Sequence, residues 1–483
     1  MKRIIALLLA VLMIVAITGC GSKKRQPITL TLSTEDSEAI LKAAGIQLPD
    51  IEDAKGANSN IIFFSWSDTI NNYSEAEVVN TGFWTFREKY KCTVEFWETT
   101  YQERYDRLAT LIVGGTPPDF FPAGVSSEAT FPMYCVKGTF APIDDYVDYT
   151  SPLWEGMADA AEAFALGSRH FAFVTDITFR NIVPYNRRVI DEYGFDDPAE
   201  LYYNDEWTWN KFYEMCMEFS DEDDARFGVE GDAYNGALVQ EATGRKIIKK
   251  DSEGNFYADV DDPVIEAANT LLYDMKKNGL VYHSGNSYWA GRHDPKVLGD
   301  GVKDGKTLFY ITFFTALRGP VDEISAIWGD ITEHEVMFAP LPRYDNGDGE
   351  YYLASIPTGY MLVSGSKNPD GVALFAACER FKIVDPTVDR IERRQLQEKY
   401  LWTDEMMAMY DECREIILKN AGMYLNGNLT DQANNAYNAF RDKVARDAEN
   451  TSWAQVKEQY KDQLDYYLDD LNKIIKDYID ANP

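Results

Sequence analysis

Ile61-Ile62-Phe63-Phe64-Ser65 is a short apolar run of strand length that stops abruptly at Trp66-Ser67-Asp68. Downstream, Val78, Val79, Trp84 and Phe86 recur at helical spacing and lead into Cys92-Thr93-Val94-Glu95-Phe96, whose alternation reads as a second strand. Tyr101, Tyr105, Leu108 and Ile112 mark another helix, which Gly114-Gly115-Thr116-Pro117-Pro118 ends just before Asp119-Phe120-Phe121. Strand, helix, strand, helix, strand is the order from which parallel sheets are built, so the fold class expected is α/β.

The same grammar continues along the chain. Asp197-Pro198-Ala199-Glu200 sets a cap, a first-turn proline and an acidic third residue in order, and Thr208 caps a helix carrying Trp209, Phe212, Met215 and Phe219. Leu308-Phe309-Tyr310-Ile311 predicts a strand closing with Thr312-Phe313-Phe314. The last third is helical: Val372, Phe375, Ala376 and Phe381 share one face, and Ser452-Trp453-Ala454-Gln455 has the form of a capping box ahead of Val456, Leu464 and Leu471.

Composition narrows the function. The 483 residues are 45% hydrophobic, enough for two or more lobes. Acidic residues outnumber basic ones by 79 to 47, a net charge of −32 with no basic stripe, which excludes nucleic acid as a partner. That charge also opposes adhesion of the whole surface to anionic lipid, so membrane contact needs a separate device. Lys2 and Arg3 precede an apolar run from Ile4 to Ile17, too short to span a bilayer comfortably, that ends in Thr18-Gly19-Cys20. This resembles the lipobox of bacterial lipoproteins: residues 1–19 are expected to be removed as a signal peptide and Cys20 to become the lipidated first residue. Residues 20–59, mostly polar with one helical stretch from Ser37 to Ala44, read as a tether reaching on the order of 35 Å as a flexible coil.

Cys92, Cys135, Cys216, Cys378 and Cys413 are odd in number and scattered, without a CxxC, so buried free thiols are expected rather than a disulfide framework. His170, His283, His293 and His334 lack zinc-site spacing, and Asp221-Glu222-Asp223-Asp224 opens like a calcium loop but has Arg226 where that loop requires glycine. No metal and no cofactor are expected.

Several fragments, in order, resemble the extracellular solute-binding proteins of ABC importers, family 1. They are Phe86-Arg87-Glu88-Lys89-Tyr90, Tyr105-Asp106-Arg107-Leu108-Ala109-Thr110, Pro118-Asp119, Pro142-Ile143-Asp144-Asp145-Tyr146, Val183-Pro184-Tyr185-Asn186, Glu206-Trp207-Thr208-Trp209, Asp304-Gly305-Lys306-Thr307 and Ile356-Pro357-Thr358-Gly359-Tyr360. The resemblance implies a two-lobed, periplasmic-binding-protein-like fold with a ligand cleft between lobes and crossing hinge segments. It implies lobe one at 60–180 and 358–400 and lobe two at 184–355 and 401–483, with Pro184, Pro357 and Gly359 as hinge material. It further implies a monomeric receptor, usually for a carbohydrate, that delivers its ligand to permease subunits driven by a separate ATPase. No P-loop occurs in this chain, so ATP hydrolysis belongs to partners.

In open parallel sheets ligands lie beyond the carboxyl ends of strands. A sugar presents C–H faces and a rim of hydroxyls, which call for aromatic planes and hydrogen-bonding carboxylates. Trp66 with Asp68, Asp119 with Phe121, and Phe313 with Phe314 stand at such ends; Asp176 closes the strand-like Phe171-Ala172-Phe173-Val174; Trp289 lies in a Gly/Asn/Ser-rich loop. These eight are the expected ligand contacts. Three of them have a plainer alternative: Trp66 as packing, Asp176 as a turn cap, Asp119 as a holder of backbone amides. No catalytic residue is expected. The rival readings are a receptor for a peptide or other non-sugar solute, and a lipid-anchored glycoside hydrolase. The adjacent Asp144 and Asp145 are poorly placed to flank a glycosidic bond.

Overall fold

The computed structural model describes residues 32–50, 60–71, 78–123, 130–230, 242–282, 301–420, 429–446 and 451–482. Cys20 and Trp289 fall outside them. β1 (Asn60–Ser65), β2 (Thr93–Glu98) and β3 (Phe120–Ala123) lie parallel, with Ile61 opposite Val94 and Phe63 opposite Phe120. β1 is apolar almost throughout because helices cover both faces of a parallel sheet. Between β1 and β2 runs helix Thr81–Tyr90, started by the Asn80 side chain, which accepts from the amides of Gly82 and Phe83. It ends at Lys91 in the left-handed conformation, φ 57°.

Two short strands, β4 (Ala165–Leu166) and β5 (Arg169–His170), precede β6 (Phe173–Phe179), which leads through Arg180 alone into β7 (Asn181–Asn186). β8 (Phe227–Glu230), the hairpin β9 (Ile248–Lys250) and β10 (Phe256–Ala258), then β11 (Thr307–Tyr310), β12 (Thr312–Phe313) and β13 (Val336–Ala339) follow. β14 (Ser355–Leu362) returns to the first sheet and completes the order β2-β1-β3-β14-β6. It enters antiparallel to both neighbours, so this sheet is mixed rather than wholly parallel. β6 and β14 are the two strands that cross toward the smaller sheets, β8 with β11 and β12-β7-β13. A register shift at Thr358/Gly359 bends β14 there. A Cβ on Gly359 would stand 1.8 Å from the carbonyl oxygen of Phe173, so only glycine lets the two strands approach.

Several sequence-level signals have their expected structural form. The Asp197 side chain accepts from Ala199 N, Thr208 accepts from Lys211 N, and Ser452 with Gln455 forms a full capping box on helix Trp453–Ala481. The five cysteines are free and buried. Two expectations are corrected. Helix Thr34–Gln47 falls inside the stretch read as tether, yet Ile40 and Ala44 are fully buried and Asp36 pairs with Arg394, so this segment is docked on the fold. Asp176 lies within β6 rather than at its end, because the strand continues through Phe179.

Candidate functional site

Two clusters form where strand ends and crossing segments gather. At the end of β1, half-buried Trp66 stands edge-on to Tyr101, with centroids 5.4 Å apart and planes at 86°. The Arg104 guanidinium lies 3.9 Å from the Tyr101 ring centroid, 4.4 Å from that of Tyr105 and 5.7 Å from that of Trp66. Tyr105 in turn stacks on Tyr134 at 3.9 Å and 16°. Helix Arg104–Val113 places Arg104 at its first position, so the cation and three rings meet at one rim. Sequence reasoning used Tyr101 and Tyr105 as a helical stripe and missed Arg104, whose only signal is its proximity to two tyrosines.

Other predicted residues near this rim are committed to structure. Asp68 Oδ1 accepts from the amides of Ile70, 3.2 Å, and Asn71, 2.8 Å, capping its own turn. Asp119 is buried, and its carboxylate accepts from Ile62 N at 2.8 Å and Ser366 Oγ at 2.6 Å, tying β1 to the loop after β14. Phe121 is 1% exposed behind Trp66 and Tyr105, within the sheet core. Trp207 and Trp209 are also core residues.

The second cluster surrounds a cavity of about 610 Å³ at the crossing segments, a size within the ordinary range for small-molecule sites. β6 and β14 contribute Asp176, Thr178, Ile356 and Thr358; β12 and the turn after it contribute Phe313, Phe314 and Arg318. Its far wall holds Glu379, Lys382, Glu392 and Tyr410 from the helices Pro369–Val384, Pro386–Tyr400 and Asp404–Lys419. Of the eight predicted contacts, Asp176, Phe313 and Phe314 come together here, while Trp66, Asp68, Asp119 and Phe121 do not line it.

These three differ in how they are held. Asp176 pairs with Arg414, Nη2 to Oδ1 3.1 Å. Phe314 is 5% exposed and stacks on Tyr410 at 5.0 Å and 27°, with Phe179 and Trp402 against its other sides. Phe313 is half-buried with the Arg180 guanidinium 4.7 Å from its ring centroid; Phe314 also has a cation at its ring, Arg318 at 4.7 Å, but is itself buried, so Phe313 is the more accessible of the two rings. At the far wall Lys382 Nζ binds Glu379 at 2.6 Å, and Thr81 Oγ1 donates to Glu392 at 2.6 Å. Burial raises the Glu392 pKa against the pull of Lys382. Arg180, Arg318, Glu379, Lys382, Glu392 and Arg414 were all missed from sequence, because none stands in a motif and β14, β12 and three helices must assemble before they meet.

The chemistry these groups permit is recognition: stacking, charge and hydroxyl contacts. Among the described residues no group of three or more His, Cys, Asp or Glu is placed to hold a metal ion. Asp144 is occupied by His170, which approaches it with its ring Nδ1 at 2.7 Å and its backbone amide at 3.0 Å. No described helix is long and apolar enough to cross a membrane.

Among solved structures, the fold is similar to the GacH receptor of Streptomyces glaucescens, solved unliganded and with acarbose, at TM-score 0.56 and 16% identity over 87% of this chain and 99% of that one. It is similar to Lmo0181 of Listeria monocytogenes in complex with cycloalternan, TM-score 0.56 and 14% identity over 86% and 99%. It is also similar to the sugar-binding protein MalE of Xanthomonas citri, TM-score 0.59 and 14% identity over 86% and 99%. At such identities the likeness is one of fold: α/β and two-lobed. No curated protein sequence matches the chain significantly. The sequence profile of the bacterial extracellular solute-binding proteins matches residues 67–378, about two thirds of the length, and the chain belongs to that family.

Proposed function

We propose that this protein is the substrate-binding component of an ABC importer for a carbohydrate, lipidated on Cys20 and held at the outer face of the cytoplasmic membrane. The lobes close on the ligand and the loaded form docks on permease subunits driven by a separate ATPase. The ligand leaves unaltered, so the protein is a receptor and not an enzyme. The observation that carries this reading is the cavity at the crossing strands, where half-buried Phe313 offers a stacking plane among hydrogen-bonding side chains. Family membership and sugar-bound structures of the same fold support it. Lobe one at 60–180 and 358–400 and lobe two at 184–355 and 401–483 remain the proposed division. Helix Asp404–Lys419 packs on both β6 and β13 and so bridges the two.

A panel of oligosaccharides tested by thermal unfolding of the full chain decides the matter. A ligand present at a hundred times its dissociation constant adds about 2.7 kcal/mol, several degrees in Tm. At least one saccharide is expected to give that shift without being cleaved. No shift with any saccharide, or turnover of a glycoside, overturns the proposal.

A further inference from the structure

We infer that the cavity at the crossing strands receives an anionic carbohydrate, one whose carboxylate or sulfate group is held by Arg180 with Arg318 beside it. The inference rests on the carbohydrate reading above and names the class of sugar.

The argument is one of elimination among charges. The chain carries a net −32, so a cation at its cavity that faces no carboxylate partner among the described residues needs an explanation. Asp176 is balanced by Arg414 and Glu379 by Lys382. Arg380 spends its guanidinium on the carbonyl oxygens of Leu153, Thr175 and Glu155. Glu392 accepts from Thr81 Oγ1 at 2.6 Å and feels the charge of Lys382. Arg180 lines the cavity with its guanidinium 4.7 Å from the Phe313 ring centroid; Arg318 lines it too, 4.7 Å from that of Phe314 and with further contacts of its own. Among the described residues no carboxylate pairs with Arg180, whose recorded side-chain contact is the Phe313 ring.

A guanidinium stacked on an aromatic ring keeps its in-plane N–H donors for a second partner, and its fork matches carboxylate and sulfate oxygens. Desolvating such a cation without a counter-charge is costly. When lobes close around a neutral sugar, Arg180 bears that cost; an anionic sugar supplies the missing charge. Phe313 at the same spot stacks on the sugar ring carrying the anion, so charge and plane are read together.

The test is calorimetric titration of the full chain with uronic-acid oligosaccharides, sulfated oligosaccharides and the neutral sugars of matching backbone, with and without added salt. The expected result is one anionic class binding at least about tenfold tighter than its neutral counterpart, with the advantage shrinking in salt; which class binds separates carboxylate from sulfate. Arg180→Gln is expected to erase the preference while leaving Tm unchanged. A neutral sugar bound as tightly as its anionic counterpart, or a preference that survives Arg180→Gln, overturns the inference and leaves the carbohydrate reading intact. Absence of binding by every saccharide overturns both.

Discussion

Arg414 on helix Asp404–Lys419 and Asp176 on β6 form an ion pair at 3.1 Å with both side chains about four-fifths buried, so this helix is clamped to the crossing strand. Asp176 thereby serves as a strut for the cavity wall first and as a hydrogen-bonding group second. Asp176→Ala leaves the Arg414 cation buried without its partner and is expected to cost about 3 kcal/mol in chemical denaturation. The double variant Asp176→Ala/Arg414→Met should recover a large part of that loss, and a simple sum of the two single effects would show that the pair is not coupled.

Phe313 and Phe314 are neighbours with opposite assignments. Phe314→Ala removes a ring held by Phe179, Tyr410 and Trp402, and unfolding should show a loss of roughly 3–5 kcal/mol. Phe313→Ala takes away a half-buried ring at the cavity wall, so its expected effect is a loss of ligand affinity of about tenfold with a loss of stability well below that of Phe314→Ala. Equal destabilisation by the two would place Phe313 in the core.

Glu230, at the end of β8, is 3% exposed, and burial raises its pKa to about 8 against the lowering effect of a hydrogen bond with Thr307. Its ordinary value is 4.5, so between pH 4.5 and 8 the unfolded chain releases a proton that the folded chain retains. Stability therefore falls as pH rises through that window, by on the order of 3 kcal/mol at pH 7. Glu230→Gln should unfold at higher temperature than the wild type at neutral pH and show a flatter pH profile. A profile unchanged by the substitution would mean that Glu230 ionises normally.

Gly359→Ala sets a methyl group against the Phe173 carbonyl at the bend of β14. Backbone cannot yield as a side chain does, and a loss of about 3 kcal/mol in chemical denaturation is expected. A neutral effect would indicate that β6 and β14 are free to part.

Much of the fold was legible because local signals and tertiary demands agree. The Ile61–Phe64 run is apolar without alternation because both sheet faces are covered, and the caps at Asp197, Thr208 and Ser452 satisfy amides within one turn. What stayed hidden depends on long-range assembly. Nothing near Asp176 announces Arg414, 238 residues away, or tells that β14 enters the sheet antiparallel between β3 and β6. The candidate site divided along the same line: side chains at strand ends were found, but their commitments were not. Asp119 is held by Ile62 and Ser366, one on each carboxylate oxygen, and Arg180, the last residue of the expected lobe one, had been given no role of its own.

Arg180 is the sole residue between β6 and β7, and its carbonyl accepts from Phe314 N at 2.9 Å. Under the proposed closure, the backbone joining the two sheets at this point belongs to an amino acid that also lines the cavity. If the proposals hold, occupancy and posture are joined in one residue, and a guest gripped by that guanidinium acts on the joint at zero distance, without a relay of intervening side chains.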